Sequence, residues 1–371
     1  MTIELPAELI DAILDHLARD FTSLKACSLV CRAWVVRSRS HLFETCSLAP
    51  NNIIGFCSLL HSCTFLHHIH SLDLFREVPH QNDHWFSDID SLCRLTGIRV
   101  LQMTAKFVDA STLEQTFFST KFLTAFPNVT HLVFSGLAHN ALRQQLVPLL
   151  DMICQFPALQ DLHIRRISPH LLFSATTAIP PRELCYLTLC THSVGPILAW
   201  LHAAGHLRHV RSLKLPSMWH HEVPFANAAF GSTLNLHCLD IPLTWLLPPV
   251  QWRYAASPFF DLSLHLNLHT LILRDSTYPD DMMQALTRLD APSLLECLAF
   301  ALDLPSYRCF QWAALDAFLA CPTRFPRLRN VVFIQTINYT VPKEDAFVRR
   351  VLPLLKSSGI LHTKWLRLFE T

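Results

Sequence analysis

Thiols and imidazoles crowd one short stretch of the chain: Cys57, His61, Cys63, His67, His68 and His70. Thiolate and neutral imidazole are favoured zinc ligands, and four of them in tetrahedral reach make a structural site. The spacings here match no familiar finger, and several of the six fall in or beside a strand-like run. The expectation is therefore surface histidines and buried thiols with no metal. Trp219-His220-His221 reads the same way. Catalytic signatures are missing from the sequence: it holds no GxSxG, HExxH or CxxC. Its seven glycines leave little from which to build a phosphate cradle. These observations predict a protein that is not an enzyme and carries no cofactor.

Recognition chemistry remains, and it depends on elements that repeat. FPNVTHLVF at 126, FPALQDLHI at 156 and FPRLRNVVF at 325 share one frame, apolar-x-x-apolar-x-x-apolar-x-apolar, ending in a period-two strand. Looser copies surround Leu72, Leu101, Leu187, Leu213, Leu239, Leu271 and Leu298. With Leu132, Leu162 and Val331 these positions recur every 25 to 33 residues without a gap. Helical patterns lie between them, among them SDIDSLCRL, STLEQTFFSTKFLTAF, ALRQQLVPLLDMICQF, VGPILAWLHAAG, DDMMQALTRL, CFQWAALDAFLA and EDAFVRRVLPLLKSS.

Strand, turn and helix at this period predict an α/β chain of stacked units. Parallel strands pair at about 4.8 Å while helix axes need roughly 8 to 10 Å, so such a stack bends with its strands inside. Ten strands give an inner arc of roughly 50 Å, wide enough for a folded partner or a long peptide. Side chains alternating with the core positions would line that arc. The polar and charged candidates for target contact are Asp161, His163, Arg165, Tyr186, Lys214, Asp240 and Arg274. A solvated strand face would look similar. The insertion DIPLTWLLPPVQWRYAASPFF, with Trp245, Trp252, Tyr254 and Phe259, is read as a loop packed on the stack, the alternative being an aromatic anchor at its rim.

The first fifty residues carry a different pattern. Pro6 opens a helix with Leu9, Ile10, Ile13, Leu14 and Leu17 at helical spacing. Thr22 or Ser23 is placed to cap a second, in which Leu24, Cys27 and Cys31 mark one side and Leu29, Val30 and Ala33 another. A module of about 45 residues cannot hide apolar side chains on two faces. The surplus is covered either by the rest of the chain or by a partner that receives it.

Leu5-Pro6-x-Glu8-Leu9-Ile10-x-x-Ile13-Leu14-x-x-Leu17, followed by Leu24-x-x-Cys27-Ser28-Leu29-Val30-Cys31-Arg32-x-Trp34 and Leu42-Phe43, resembles the F-box. That helical module docks substrate receptors onto SCF-type ubiquitin ligases. The resemblance spans residues 5 to about 46 and divides the chain into an all-α F-box at 1–46 and a region at 47–371. The later region resembles an irregular leucine-rich-repeat solenoid of the kind found behind many F-boxes. It departs from that family in lacking the asparagine expected three residues past each strand, where Glu77, Lys106, Leu137, Ile167, His192, Met218, Thr244, Ser276, Asp303 and Thr336 stand instead.

The resemblance implies a Skp-type adaptor and a cullin scaffold as partners, with a target protein held by the solenoid. It places Leu5, Pro6, Ile10, Ile13, Leu14, Cys27, Val30, Cys31 and Trp34 at or just behind the adaptor-binding surface. For Trp34 a core position is an equal reading. The alternative role is an interaction scaffold whose F-box serves a non-degradative adaptor complex.

Composition agrees with protein recognition. A formal net charge of +1 provides no global attraction to nucleic acid or anionic membrane. Residues 122–142 and 184–207 contain no charged side chain but are interrupted by His, Thr, Ser, Pro or Asn, so no membrane span is expected. The opening MTIELPAELI lacks a basic segment before an apolar run, and 13 scattered cysteines form no dense framework. The expectation is an intracellular protein, cytoplasmic or nuclear, with reduced thiols.

Overall fold

A computed structural model describes residues 6–18, 20–49, 51–60, 62, 66–76, 89–105, 123–135, 149–165, 179–189, 194–215, 235–242, 265–274, 283, 286, 294–302, 304–307, 310–336 and 342–366. The chain forms two compact units, Met1–Leu184 and Cys185–Thr371. This division falls inside the stretch expected to be one solenoid.

The first unit begins with three helices, α1 (Ala7–His16), α2 (Phe21–Cys27) and α3 (Arg32–Glu44). Pro6 occupies the cap position of α1 with φ −54°, and its carbonyl accepts the Leu9 and Ile10 amides at 3.1 and 3.2 Å. The expected cap of α2 is corrected: Asp20, not Thr22 or Ser23, accepts the Ser23 amide at 3.1 Å and its hydroxyl at 2.6 Å. The second helix is also shorter than its apolar spacing implied. It stops at Cys27, and Ser28–Val30 turn before α3 begins.

Strand β1 (Thr45–Leu48) follows α3 directly and pairs in parallel with β2 (Ser71–Arg76), so the expected 46/47 boundary lies within a strand. The sequence pattern missed helix α4 (Ile53–Leu60) between them. Asn52 steers the chain into it, accepting the Ala49 amide at 2.7 Å and donating to the Ser47 carbonyl at 3.1 Å. Strands β3 (Val100–Ala105), β4 (His131–Ser135) and β5 (Asp161–Arg165) then add in sequence order, all parallel. Short helices α5 (Ile89–Leu92) and α6 (Leu149–Ile153) precede β3 and β5.

The frame positions explain the stacking. Leu72, Leu101, Leu132 and Leu162 are register partners across four strands, and Leu74, Met103, Phe134 and Ile164 form the next row. All eight are buried. Ile98, Val129 and Leu159 join the core from the preceding turns, where their amides bond the carbonyls of Leu95, Phe126 and Phe156. Each such aliphatic side chain contributes roughly 1.5–3 kcal/mol when fully buried, so a repeated apolar letter becomes a continuous apolar column.

The second unit repeats this construction with β6 (Tyr186–Thr188), β7 (Ser212–Lys214), β8 (Cys238–Pro242), β9 (Thr270–Arg274), β10 (Cys297–Ala301), β11 (Asn330–Thr336) and β12 (Leu361–Leu366). These are parallel and paired in order. All ten strands anticipated from the frame are present across the two units, with β1 and β12 in addition.

Helix α7 (Val194–Ala203) buries Ile197, Leu198 and Leu201 and ends at Gly205, φ 65°. There the Gly205 and His206 amides bond the carbonyls of His202 and Leu201 at 2.9 and 2.8 Å. Helix α8 (Trp312–Leu319) packs near α10 (Pro353–Ser357), which follows α9 (Pro342–Val351) after a break at Leu352. Pro353 accounts for this break, which corrects the reading of EDAFVRRVLPLLKSS as one helical pattern.

A backbone device organises the start of the strands. One carbonyl in each unit accepts two successive amides from the next: His70 receives Arg99 and Val100, Arg99 receives Thr130 and His131, and Arg211 receives His237 and Cys238. Distances run from 2.8 to 3.0 Å in these three pairs. The backbone thus supplies continuity at this end, and side chains add to it: Asn128 donates to the Thr96 carbonyl at 3.1 Å and Asn267 to Asn235 Oδ1 at 2.8 Å. Of the positions past the strands, Thr336 lies in β11 and the other nine fall outside the described residues.

Candidate functional site

Two surfaces carry candidate recognition residues. The first is the helical module. Leu14 and Leu24 are completely buried, with Ile10, Leu17, Trp34, Leu42 and Phe43 half-buried around them. Against this small core stand Leu9, Ile13, Phe21, Val30 and Val36, all exposed, and Leu29 at 86% exposure. The α2–α3 turn therefore presents Leu29 and Val30 side by side, while α1 presents Leu9 and Ile13.

Of the sequence-derived adaptor candidates, Pro6, Ile13, Val30 and Cys31 are exposed, Ile10, Cys27 and Trp34 are half-buried, and Leu14 belongs to the core. Leu5 lies outside the described residues. Leu29, Phe21 and Val36 were not among the candidates. Their signal was available in the near-absence of charge between Leu24 and Val36, but the break after Cys27 decides which side chains become exposed.

Helices α1 and α3 are held together by a polar contact that spacing alone did not reveal. Arg37 Nε and Nη2 donate to the two carboxylate oxygens of Asp15 at 2.7 and 2.8 Å. His41 Nε2 lies 2.7 Å from Asp15 Oδ1. The hydrogen bond from Arg37, then that from His41, brings the Asp15 pKa down to about 2. The planar guanidinium fixes an angle between the helices that one point charge would not.

The second surface is the strand face, and its candidates divide between the units. In the first, Asp161, His163 and Arg165 occupy alternating positions of β5, half-buried. His163 Nε2 lies 3.0 Å from Asp161 Oδ1 without hydrogen-bond alignment, and His131 Nε2 lies 4.0 Å from Asp161 Oδ2. Asp73, on β2, is pushed up by burial against the opposing effect of hydrogen bonds, including that from Ser47 at 3.1 Å.

In the second unit Tyr186 is exposed and Lys214 half-buried. Asp240 is only 4% exposed and accepts two hydrogen bonds from Arg274, Nε–Oδ1 2.6 Å and Nη2–Oδ2 2.8 Å. These two candidates engage each other. Further along the same alternation Ala299 and Val332 are buried, so the expected solvent-facing row becomes apolar and covered toward β10 and β11. Trp245, Trp252, Tyr254 and Phe259 of the aromatic insertion lie outside the described residues. So do Trp219-His220-His221, most of STLEQTFFSTKFLTAF and most of DDMMQALTRL.

The described members of the thiol and imidazole cluster do not converge on a ligand. Cys57 is buried in α4, His67 and His68 sit in a single 3-10 turn, and His70 Nδ1 lies 3.2 Å from the Gly97 carbonyl. His61 and Cys63 lie outside the described residues. Burial lowers the His68 pKa, and its neighbours His67 and His70 add to the effect. Burial likewise pushes the nearby Cys46 thiol up to about 12. Among the described residues no group of three or more His, Cys, Asp or Glu is placed to hold a metal ion, and no helix is long and apolar enough to cross a membrane.

No family model matches the chain, and no curated protein matches its sequence.

Proposed function

We propose that the protein is a substrate-recognition subunit of an SCF-type ubiquitin ligase. In this reading residues 1–46 act as an F-box that docks a Skp-type adaptor. The stacked strands form an irregular leucine-rich-repeat-like solenoid that holds a target protein. The observation that carries it is the imbalance within the helical module: Leu29, Val30, Ile13, Leu9, Phe21 and Val36 stay exposed around a core whose fully buried apolar residues are Leu14 and Leu24. So many exposed large apolar side chains on a small module favour an interaction site, and helices presenting such side chains fit an apolar groove on a partner.

The protein itself then catalyses nothing. Holding adaptor and cullin at one end and a target elsewhere on the chain raises the local concentration of target lysines near the charged conjugating enzyme. The strand-face residues Asp161, His163, Arg165, Tyr186 and Lys214 are the target contacts in this reading. Asp240 and Arg274 support that surface through their mutual pair.

Co-purification of the full chain with a Skp-type adaptor and a cullin tests the proposal. Recovery of both supports a ligase, adaptor alone supports the non-degradative scaffold, and recovery of neither overturns the F-box reading. Replacing Leu5 and Pro6 by alanine is expected to abolish adaptor capture while leaving the strand units folded.

A further inference from the structure

The starts of strands β7 to β9 carry a row of cationic and imidazole groups that the functional reading leaves unused. Arg211, His237 and His269 occupy equivalent positions in three consecutive units. The carbonyl of Arg211 receives the amide of His237, and the carbonyl of His237 receives that of His269 at 3.0 Å. The row therefore advances at the strand repeat of about 4.8 Å. The His237 and His269 rings lie nearly parallel, 16° between planes and 5.3 Å between centroids.

His269 is oriented: its Nδ1 lies 2.7 Å from the Asn267 carbonyl, which can only accept, so Nδ1 carries the proton and Nε2 points elsewhere. Asn267 is itself held by a 2.8 Å bond from its amide nitrogen to Asn235 Oδ1. Arg211 and His237 are exposed, and neither makes a side-chain hydrogen bond or ion pair among the described residues. Burial, the neighbouring His269 and Arg211 all favour neutral His237.

Two stacked imidazoles that repel each other when charged are brought into balance by an anion at their shared edge. Imidazole N–H groups donate in the plane of the ring, so two parallel rings can donate side by side to the two oxygens of one carboxylate lying beyond their edges. We propose that this edge of the second unit binds an acidic segment of a protein partner, with His237 and His269 bridging one carboxylate and Arg211 holding the next. The site strengthens as pH falls, since His269, whose Nδ1 proton faces the Asn267 carbonyl, donates from Nε2 only on gaining a second proton, and a protonated His237 adds charge. Other charges bear on it. Glu296 follows His269 in the row, Arg329 follows Glu296, and Arg208 and His209 lie on the turn before β7, with Arg208 Nε 3.2 Å from His209 Nε2. Glu296 limits the row to the stretch from Arg211 to His269. Asp240 is committed to Arg274. The inference is independent of adaptor capture by the helices.

The test is fluorescence anisotropy of a labelled octa-aspartate peptide with the full-length protein at pH 5.5 and 7.5. Aspartate, with an ordinary pKa of about 3.9, is ionised at both values, so the pH dependence belongs to the protein. The expected result is at least tenfold tighter binding at pH 5.5. In His237→Gln/His269→Gln the dependence falls below about threefold, the remainder reflecting the other imidazoles among the chain's 22. Arg211→Gln weakens binding at both pH values and keeps the pH dependence. Both variants alter exposed or half-exposed side chains, and matching thermal unfolding checks that they remain folded. A tenfold dependence that persists in the double variant, equal binding of octa-asparagine, no binding at either pH, or tighter binding of a single-stranded oligonucleotide of equal charge would each overturn the proposal.

Discussion

Asp240 and Arg274 face each other from adjacent strands through two parallel hydrogen bonds of 2.6 and 2.8 Å, with the carboxylate almost wholly withdrawn from water. Arg274 is the register partner of Pro242, two residues beyond Asp240, so the guanidinium reaches diagonally across the β8–β9 pair. A buried carboxylate keeps its charge cheaply only while such a fork satisfies both oxygens. Replacing Arg274 by methionine leaves that charge unpaired and is expected to cost about 3 kcal/mol. Replacing both residues by leucine is expected to recover most of it. Urea unfolding of the single and double variants measures the difference, and equal losses in the two would show that packing, not charge, holds this position.

Asp15 makes a second fork, to Arg37, on the helical module. Its folded pKa of about 2 lies below the ordinary value of 3.8, so its contribution to stability is present above pH 4 and lost as pH falls through about 2. Carboxyl carbon chemical shifts followed by NMR should place the Asp15 midpoint near 2 in the native chain. In Arg37→Gln it should move back toward the ordinary range, with the remaining depression due to His41. An unchanged midpoint would exclude Arg37 as the main cause.

The strands were legible because each unit must repeat the same apolar positions to continue one column. A shift by a single residue would turn Leu132 or Leu162 away from the core, so the period-two register is visible in the letters themselves. Helix ends in the first fifty residues were less legible. Apolar spacing continued smoothly past Cys27, and only the cap at Asp20 and the turn at Ser28–Val30 decide where α2 stops. Asp240 and Arg274 read as separate ligand candidates because a sequence 34 residues apart gives no sign of a diagonal cross-strand pair. Leu29, 86% exposed, was passed over because its exposure follows from that unforeseen turn.

Asp316 joins two elements distant in sequence. From α8 its buried carboxylate accepts the Leu354 amide at 2.8 Å and the Leu355 amide at 3.0 Å, the open amides at the start of α10. Asp316→Ala removes both acceptors at once and is expected to destabilise the second unit by about 1–2 kcal/mol, the upper range of a lost cap. Hydrogen exchange provides the specific readout: protection at Leu354 and Leu355 should fall further than protection along β9 or β10. Uniform loss would point to a general packing defect.

The apolar module admits a contrast that separates binding from folding. Leu14 is fully buried, so Leu14→Ala opens a cavity and is expected to cost about 2–5 kcal/mol, melting the helices and removing adaptor capture with them. Val30 is 63% exposed at the α2–α3 turn, where a polar side chain meets water in the free protein; Val30→Asp should change stability by less than about 0.5 kcal/mol. If the module docks as proposed, however, the same carboxylate is carried into an apolar groove without a partner, a cost of several kcal/mol. Affinity for a Skp-type adaptor is therefore expected to fall at least a hundredfold in Val30→Asp while helical circular dichroism and the melting midpoint stay unchanged. Undiminished affinity in Val30→Asp and in Leu29→Asp would mean that this surface is not what the adaptor meets.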